Sequence, residues 1–293
     1  TDKPLALATN YSMADDRKIA LRLKEAGIPL LRGTRNALLA IGHFMADREF
    51  RSRYSKLGEI AQPKDIVHEA VVSRWKARLA DRTSLTEADG LTMLADFGLA
   101  APSMATVTSL AELNAAINNL AFPIVLKTAE DYAHKSDVDG VRLNLTSADE
   151  AIVAYTEMAA CLGPKALMME MVPAGFELSF GAVYDVDFGS VVIVSAGGVL
   201  IEFLNDKVAA LAPFDCEAAK NLLSELRIAR LLAGYRSKPA ADMDGLARQL
   251  AQFSQMVALL GDTITEIDIN PVICGPDGAV AVDCLVLTKA GVK

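Results

Sequence analysis

The chain has 293 residues, of which 52% are apolar and 23% charged, so global disorder is excluded and a sizeable core is available. Its formal net charge is −8 and it contains no long block of Lys and Arg, so nucleic-acid binding is not expected. The length suggests two domains, or one domain with an appendage. No run of about 18 apolar residues predicts a membrane span.

The cysteine and histidine content excludes two further classes of protein. Four cysteines are present, none of them in a CxxC spacing, and there are only three histidines. A structural zinc site and a secreted disulfide framework are therefore not expected. The chain does not open with a signal sequence, which makes a cytoplasmic location the default expectation.

The first 50 residues alternate in the manner of a parallel α/β sheet. Residues 4–9 and 28–31 are short apolar runs that predict strands, and a helical pattern follows each of them. Two strands do not form a stable sheet alone, so we expect this segment to be the tail of a larger α/β domain or to dock on something else. Residues 46–65 are polar and charged, which predicts a linker.

From Thr86 onward the sequence predicts an α+β domain, because hairpin and crossover connections are mixed. Three helices begin with capping-box spacing, at Thr86 with Asp89, Ser109 with Glu112 and Ser147 with Glu150. Further helices are predicted at 67–79, 215–232 and 242–260. Strands are predicted at 104–107, 124–128, 141–145, 166–172, 178–184, 191–195, 199–203, 264–269 and 279–286.

Two neighbouring features of this domain can act on phosphate. An apolar strand ends in Lys127, which brings an ammonium to the rim of a sheet, where it can bind phosphate or simply face water. The polar loop 130–140 that follows contains His134. An imidazole can serve as a nucleophile, and a surface histidine without a role is the alternative.

Carboxylates also occur in and beside the apolar run 166–172. Glu170 and the backbone around it can hydrogen-bond the edge of a purine, or Glu170 can be a strand-edge carboxylate that faces solvent. Glu177, slightly further on, can reach a ribose hydroxyl or be an ordinary solvated strand residue.

The C-terminal hairpin contains a candidate metal site. Glu266, Asp268 and Asn270 alternate along one strand and therefore share a face. Asp283 interrupts the apolar run across a Gly-Pro-Asp-Gly turn, and hairpin pairing would bring it near Asn270. Carboxylate and amide oxygens suit Mg²⁺, and the alternative is a polar outer face of the hairpin.

Six motifs occur in order along the chain: PIVLK, HKSDVDGVRLNL, MEMVP, AGGVLIE, EIDINP and GAVAVD. Together, from about residue 84 to 288, they resemble the ATP-grasp domain of NDP-forming acyl-CoA synthetases. This group includes the ADP-forming acetyl-CoA synthetases and lies within the succinyl-CoA synthetase superfamily. Residues 1–50 resemble the end of the flavodoxin-like ligase domain that precedes the ATP-grasp part in fused members.

The resemblance implies a two-lobed ATP-grasp domain preceded by the tail of a flavodoxin-like α/β domain. The flavodoxin-like part would cover residues 1–50, and a linker and helix residues 51–82. The ATP-grasp domain would cover residues 83–293, with lobes at about 83–162 and 163–293.

The resemblance also implies an acid–thiol ligase that makes acyl-CoA from acid, CoA and ATP or GTP through a phosphohistidine. Lys127 would hold the nucleotide phosphates, and Asp268 would face the phosphohistidine at the nucleotide site. His134 matches a histidine that takes phosphate on the nucleotide-binding part. The adenine hinge would be Glu170, Met171 and Val172, and the Mg²⁺ ligands would be Asn270 and Asp283.

Three departures from the family pattern are present. Asp139-Gly140 stand where Gly-Gly is usual, and Ala210 stands where an Arg is usual. The CoA-binding Rossmann domain and the Gly-His-Ser/Thr-Gly loop are absent, since His43 follows Gly42 on a predicted helix and is followed by Phe. We therefore expect the chain to bind nucleotide and to need a CoA-binding, phosphohistidine-bearing domain in cis or as a separate subunit.

Other interpretations stay open at this point. One is a nucleotide-sensing or scaffolding module without turnover. Another is an ATP-grasp ligase that uses an acyl phosphate and no phosphohistidine. Formation of a homo-oligomer, the acyl group, and the choice between ATP and GTP are not decided by the sequence.

Overall fold

The structure is a computed structural model that describes residues 4–10, 17–57, 69–81, 84–130, 139–198, 206–234 and 239–289. The chain forms two compact units, Thr1–Ala61 and Gln62–Lys293. Within the described ranges, no helix is both long and apolar enough to cross a membrane.

The first unit has the predicted β-α-β-α order. It consists of β1 (Leu7–Thr9), α1 (Arg17–Glu25), β2 (Leu30–Arg32) and α2 (Thr34–Leu57). The two strands pair in parallel, with Leu7 opposite Leu30. Among the described residues of this unit only Ala37 is buried, so most of its apolar side chains remain exposed.

The prediction of a linker from residue 46 was wrong, because α2 continues to Leu57. The charged residues in this stretch are good helix formers, so the helix continues beyond the apolar residues of its first half. An ion pair between Arg51 and Asp47, one turn apart at 2.9 Å, supports it. Residues 58–68, which include the rest of the predicted linker, lie outside the described residues.

The second unit begins with a helix pair held together by the only tryptophan. Helix α3 (Glu69–Ala80) buries Trp75, which is 1% exposed, and its Nε1 donates to Asp96 at 2.8 Å. Asp96 is the last residue of α4 (Glu87–Asp96), so this bond ties the two helices together. The backbone N–H of Asp89 donates to Thr86 Oγ1 at 3.1 Å, which confirms the predicted helix start.

In the described part of this unit, four antiparallel strands form one sheet in the order β3-β6-β4-β5. They are β3 (Met104–Val107), β4 (Ile124–Thr128), β5 (Val141–Leu145) and β6 (Ala166–Glu170). Two helices, α5 (Leu110–Ile117) and α6 (Ala148–Leu162), pack on one face, where Ile124 and Leu126 enter their core. Because side chains alternate along a strand, Val125 and Lys127 point to the opposite face.

The boundary between the lobes differs from the predicted one at 162/163. Strand β6 pairs with both β3 and β4 and therefore belongs to the first sheet. Strand β6 ends at Glu170, two residues before the end of the strand predicted over 166–172.

A second sheet of six described strands has the order β11-β10-β7-β8-β9, with β12 also paired to β10. The strands are β7 (Phe176–Asp185), β8 (Gly189–Ala196), β9 (Lys207–Leu211), β10 (Ile264–Gly275), β11 (Gly278–Ala281) and β12 (Leu285–Thr288). The strand predicted at 199–203 falls outside the described residues.

Three described helices accompany this sheet: α7 (Cys216–Glu225), α8 (Ala229–Leu232) and α9 (Met243–Leu260). Helix α9 buries residues at helical spacing, and its Phe253 lies with its ring centroid 5.9 Å from that of Phe180 on β7. The helix thus covers one face of the sheet and leaves the opposite face of β10 for polar residues.

The strand predicted over 279–286 is interrupted. Strands β11 and β12 are separated by residues 282–284, although the Val282 N–H still donates to the Pro271 carbonyl at 3.2 Å. Asp283 lies in this break. The interruption turns the segment away from regular pairing and frees the carbonyl of Val282 for a side-chain donor.

Candidate functional site

The centre of the site is the ammonium of Lys127, which β4 brings to the face of its sheet away from α5 and α6. It donates to Glu87 Oε1 at 2.6 Å and to the Val282 carbonyl at 2.8 Å. Asp283 Oδ2 lies 3.5 Å from the same nitrogen. One ammonium therefore joins the first sheet, helix α4 and the break between β11 and β12.

Glu87 is the functional residue that sequence reasoning missed. It is the first residue of α4, and its side chain is only 6% exposed. Its sequence signal is an acidic residue just inside a helix start, which is usually read as a favourable interaction with the helix dipole. Nothing local in the sequence indicates a partner 40 positions away.

The predicted pair of Asn270 and Asp283 is supported by the strand register. Val272 pairs with Ala281, and Asp268 pairs with Leu285. The same register places Asn270 opposite Asp283. Both residues are half-buried, so their oxygens are accessible to a ligand.

Asp268 lies on the same face of β10 as Asn270. Its Oδ1 accepts a hydrogen bond from Ser179 Oγ at 3.0 Å. Its neighbour on β7 is Gly181, which has no side chain to cover the carboxylate. Glu266, the third member of the predicted alternation, is exposed.

Three acidic side chains lie near the thiol of Cys284. Burial raises the pKa of its thiol well above the usual value, and three neighbouring carboxylates raise it further. These belong to Asp283, Glu87 and Asp268. A Cβ on Gly90 would lie 2.9 Å from Cys284 Sγ, so glycine at this position lets α4 approach the break and deliver Glu87.

The donor set fits Mg²⁺ better than a metal held wholly by protein. Among the described residues, no group of three or more His, Cys, Asp or Glu could hold a metal ion. Mg²⁺ commonly takes one or two carboxylates and fills its other positions with water and phosphate oxygens. A carboxylate oxygen of Asp283 and the amide oxygen of Asn270 are ligands of the kind that such a site uses.

The predicted adenine hinge lies at the end of β6, opposite the start of β4. Glu170 Oε1 accepts from the Ala121 N–H at 2.9 Å, and the Met171 N–H donates to the Pro123 carbonyl at 2.9 Å. The carboxylate of Glu170 is therefore already bound to backbone and fixes the 121–123 segment. Met171 and Val172 are half-buried beyond the strand end.

Glu177 lies on β7, opposite Ile273 of β10, and its side chain is exposed. The Gly197 N–H donates to the Glu177 carbonyl at 2.7 Å, and a Cβ on Gly198 would collide with the Glu177 carboxylate. The two glycines thus allow a close backbone approach beside Glu177. Among the described residues, the hydrogen bonds and ion pairs of the Lys127 ammonium do not include Glu177.

Three further predicted positions have different outcomes. His134 lies outside the described residues. Asp139, which stands where glycine is usual, has φ of +58°, a left-handed conformation that favours glycine, and its carboxylate pairs with Arg142 at 2.6 Å. His43 lies on α2 and is exposed, in agreement with its predicted helical location.

A comparison with known families matches residues 76–287 to the ATP-grasp domain. The chain belongs to the ATP-grasp family. The match covers the Lys127 cluster and both sheets, and it confirms the family inferred from the six sequence motifs.

Relatives and solved structures refine this assignment. The ATP-grasp chain is 32% identical over 281 residues to a trans-feruloyl-CoA synthase of an unknown prokaryotic organism, with 91% of this chain and 37% of that protein covered. It is 27% identical to the beta subunit of an ADP-forming acetate–CoA ligase of Pyrococcus furiosus, with 78% of this chain and 98% of the subunit covered.

A solved acetyl-coenzyme A synthetase of Ca. Korarchaeum cryptofilum, in complex with coenzyme A and Mg-AMPPCP, has a TM-score of 0.65 and 30% identity. That match covers 74% of this chain and 98% of the solved one. The ATP-grasp chain is thus homologous to part of the ADP-forming acyl-CoA synthetases. It spans little more than a third of the feruloyl-CoA synthase and nearly all of the beta subunit.

Proposed function

We propose that this chain is the nucleotide-binding part of an NDP-forming acyl-CoA synthetase, which converts acid, CoA and ATP to acyl-CoA, ADP and phosphate. The observation that carries the proposal is the contact between the Lys127 ammonium and Asp283 at 3.5 Å. It combines a phosphate-binding cation with a metal-binding carboxylate at one rim. The names of the relatives agree with this reaction class.

The triphosphate binds at this rim. Lys127 supplies a point charge to the phosphate oxygens, while Asp283 and Asn270 hold Mg²⁺. Mg²⁺ bound there neutralises charge on the phosphates, and in phosphoryl transfer such positioning and electrostatic stabilisation supply most of the catalysis. A solved relative holds Mg-AMPPCP, which supports this choice of nucleotide and metal.

The adenine binds beyond the end of β6. The backbone of Glu170, Met171 and Val172 hydrogen-bonds the edge of the base, and Glu177 bonds the ribose. Because Glu170 Oε1 is already bound to the Ala121 N–H, we assign its carboxylate to shaping the hinge. The N–H groups of Glu170 and Met171 donate to the carbonyls of Ser103 and Pro123, so the base is read by the other backbone groups of this segment. GTP is an alternative substrate.

His134 receives the phosphoryl group. An imidazole nitrogen forms a bond to the γ-phosphorus as the bond from phosphorus to the bridging oxygen breaks, and ADP leaves. Asp268 orients the imidazole, since a carboxylate that accepts from one ring N–H leaves the lone pair of the other ring nitrogen for the phosphorus. The bond from Ser179 to Asp268 holds that carboxylate in place.

The acyl-CoA half of the reaction requires a partner. We propose that a CoA-binding domain with its own phosphohistidine, in cis or as a separate subunit, takes the phosphoryl group from this chain. The match to a beta subunit supports a division of the enzyme at this point in some organisms.

Phosphohistidine formation tests the proposal. The chain is incubated with γ-³²P-labelled ATP and Mg²⁺, and the acid-labile, alkali-stable label is counted. We expect labelling of the native chain, loss of the label in His134→Ala, and full labelling in the control His43→Ala. Label retained in His134→Ala contradicts the assignment of His134, and binding of ATP without labelling favours a nucleotide-sensing role.

A further inference from the structure

The ammonium of Lys127 is already surrounded by protein oxygens. A lysine ammonium has three N–H donors, and three protein oxygens surround this one. They belong to Glu87, Val282 and Asp283, at 2.6, 2.8 and 3.5 Å. A nucleotide that binds Lys127 must therefore displace one of these oxygens.

The three acceptors are not equally replaceable. Glu87 makes the shortest contact, and its side chain is 6% exposed, against 10% for Lys127. Asp283 makes the longest contact and is 41% exposed. The Val282 carbonyl is fixed by the backbone that donates to Pro271. Asp283 is the acceptor that can leave at the lowest cost.

Acidic side chains also lie at this rim. Glu87 and Asp283 contact the ammonium, and Asp268 lies with them near Cys284. Phosphate oxygens that approach Lys127 meet these carboxylates, which repel them. A divalent cation on Asp283 offsets the charge of that carboxylate and at the same time gives it a new partner.

We propose that Asp283 exchanges partners when the metal binds. Without a divalent cation it occupies the third donor of Lys127, and with the cation it turns to the metal and releases that donor to the nucleotide phosphate. Glu87 is a positioning residue that keeps the ammonium at the rim during the exchange. The inference rests on the proposed function of the site and adds a coupling between metal and nucleotide binding.

Two isosteric substitutions test the exchange, because each removes one negative charge from the same ammonium. Asp283→Asn removes the negative charge that competes with phosphate for the third N–H donor of Lys127. In EDTA, we therefore expect this variant to bind AMPPCP about tenfold more tightly than the native chain does. Glu87→Gln weakens the contact that holds the Lys127 ammonium at the rim, so the ammonium pairs more strongly with Asp283. We therefore expect AMPPCP in EDTA to bind this variant several-fold more weakly than the native chain. Affinities are measured by calorimetry.

Asp89→Asn is the matched control, since Asp89 lies on the same helix as Glu87 and pairs with Arg78 instead. We expect its affinity for AMPPCP in EDTA to equal that of the native chain. If both test variants bind more tightly in EDTA, plain removal of charge explains the data and the exchange is refuted. An unchanged affinity of Asp283→Asn in EDTA refutes it as well.

The failure of the proposed function gives a different result. In that case the native chain does not bind AMPPCP even with Mg²⁺ present. If the native chain binds AMPPCP with Mg²⁺ and Asp283→Asn shows only the loss of this Mg²⁺-dependent affinity, the nucleotide site stands and the exchange does not.

Discussion

The four cysteines differ in their surroundings, and this determines their reactivity. Cys161 and Cys216 are exposed, whereas Cys274 and Cys284 are buried. Burial raises the pKa of Cys274 to about 11, and it raises that of Cys284 well above the usual value. Since the thiolate is the nucleophile, the two buried residues are protected both by access and by protonation.

Alkylation of the native chain tests this difference. At about pH 8 only about one in a thousand Cys274 side chains is ionised. We therefore expect iodoacetamide to modify Cys161 and Cys216 within minutes and to leave the buried pair intact, as measured by peptide mass spectrometry. In denaturant all four should react. Modification of Cys284 in the native chain at the rate of Cys161 would contradict the packing of α4 against it.

The cluster around Lys127 shows how far sequence reasoning reaches at a single site. Lys127, Asn270 and Asp283 were predicted because each interrupts or ends an apolar strand. The register of β10 with β11 and β12 places Asn270 opposite Asp283, whereas Lys127 lies in the other sheet and reaches Asp283 only through tertiary packing. Glu87 was not predicted, because its contact depends on where a whole helix packs. The polar or charged identity of a residue is visible locally, whereas its partner is a property of the tertiary structure.

At the scale of elements, helix starts are the features that the sequence determines most directly. Ser147 Oγ accepts from the Glu150 N–H at 3.3 Å, and Glu150 Oε2 accepts from the Thr146 N–H at 2.7 Å. These bonds satisfy backbone donors that the helix itself leaves unpaired. Both partners lie within four residues, so spacing alone predicts them.

The capping box makes the stability of the first sheet and its helices depend on pH. The hydrogen bonds from Thr146 lower the pKa of Glu150 below its ordinary value of 4.5. A lowered folded-state pKa gives stability that is present above the unfolded value and lost as the pH falls through the folded one. We expect Glu150→Gln to reduce the loss of stability in acid below about pH 4.5, measured by urea unfolding.

Glu157→Gln, an exposed change on the same helix, is the control and should retain the native acid dependence. Ser147→Ala should lower the free energy of unfolding by about 1 kcal/mol at neutral pH. Equal acid dependence in Glu150→Gln and the native chain would show that the hydrogen bonds from Thr146 contribute no stability.

The strands illustrate which element bounds are predictable. The strands at 124–128 and 141–145 were predicted with the bounds that the structure has, because each begins directly after a residue that is typical of turns, Pro123 and Gly140. The run 279–286 was predicted as one strand and is two, since its apolar pattern continues through the break. Composition also misplaced the linker, because a charged helix and a charged loop have similar residues.

At the scale of the whole molecule, the described site residues all belong to the second unit. Lys127, Glu170, Asp268 and Asp283 lie within Gln62–Lys293. The beta subunit that the chain matches over 98% of its length is a separate polypeptide in Pyrococcus furiosus. The second unit is compact by itself, and we expect it to fold as an independent domain.

A truncated chain of residues 62–293 tests this division. We expect it to bind AMPPCP with Mg²⁺ within about twofold of the affinity of the full chain, since no described site residue is removed. Calorimetry gives the affinity, and a thermal melt shows whether the fragment is folded. A folded fragment that no longer binds the nucleotide would mean that residues 1–61 contribute to the site.

The burial of Trp75 has a consequence for spectroscopy. It is the only indole of the chain, and the guanidinium groups of Arg74 and Arg78 lie 5.9 and 5.1 Å from its ring centre. Tryptophan fluorescence of the whole protein therefore reports on one place, the junction of α3 and α4. Because α4 also begins with Glu87, the emission maximum provides an intrinsic signal for any displacement of the helix that holds the Lys127 ammonium.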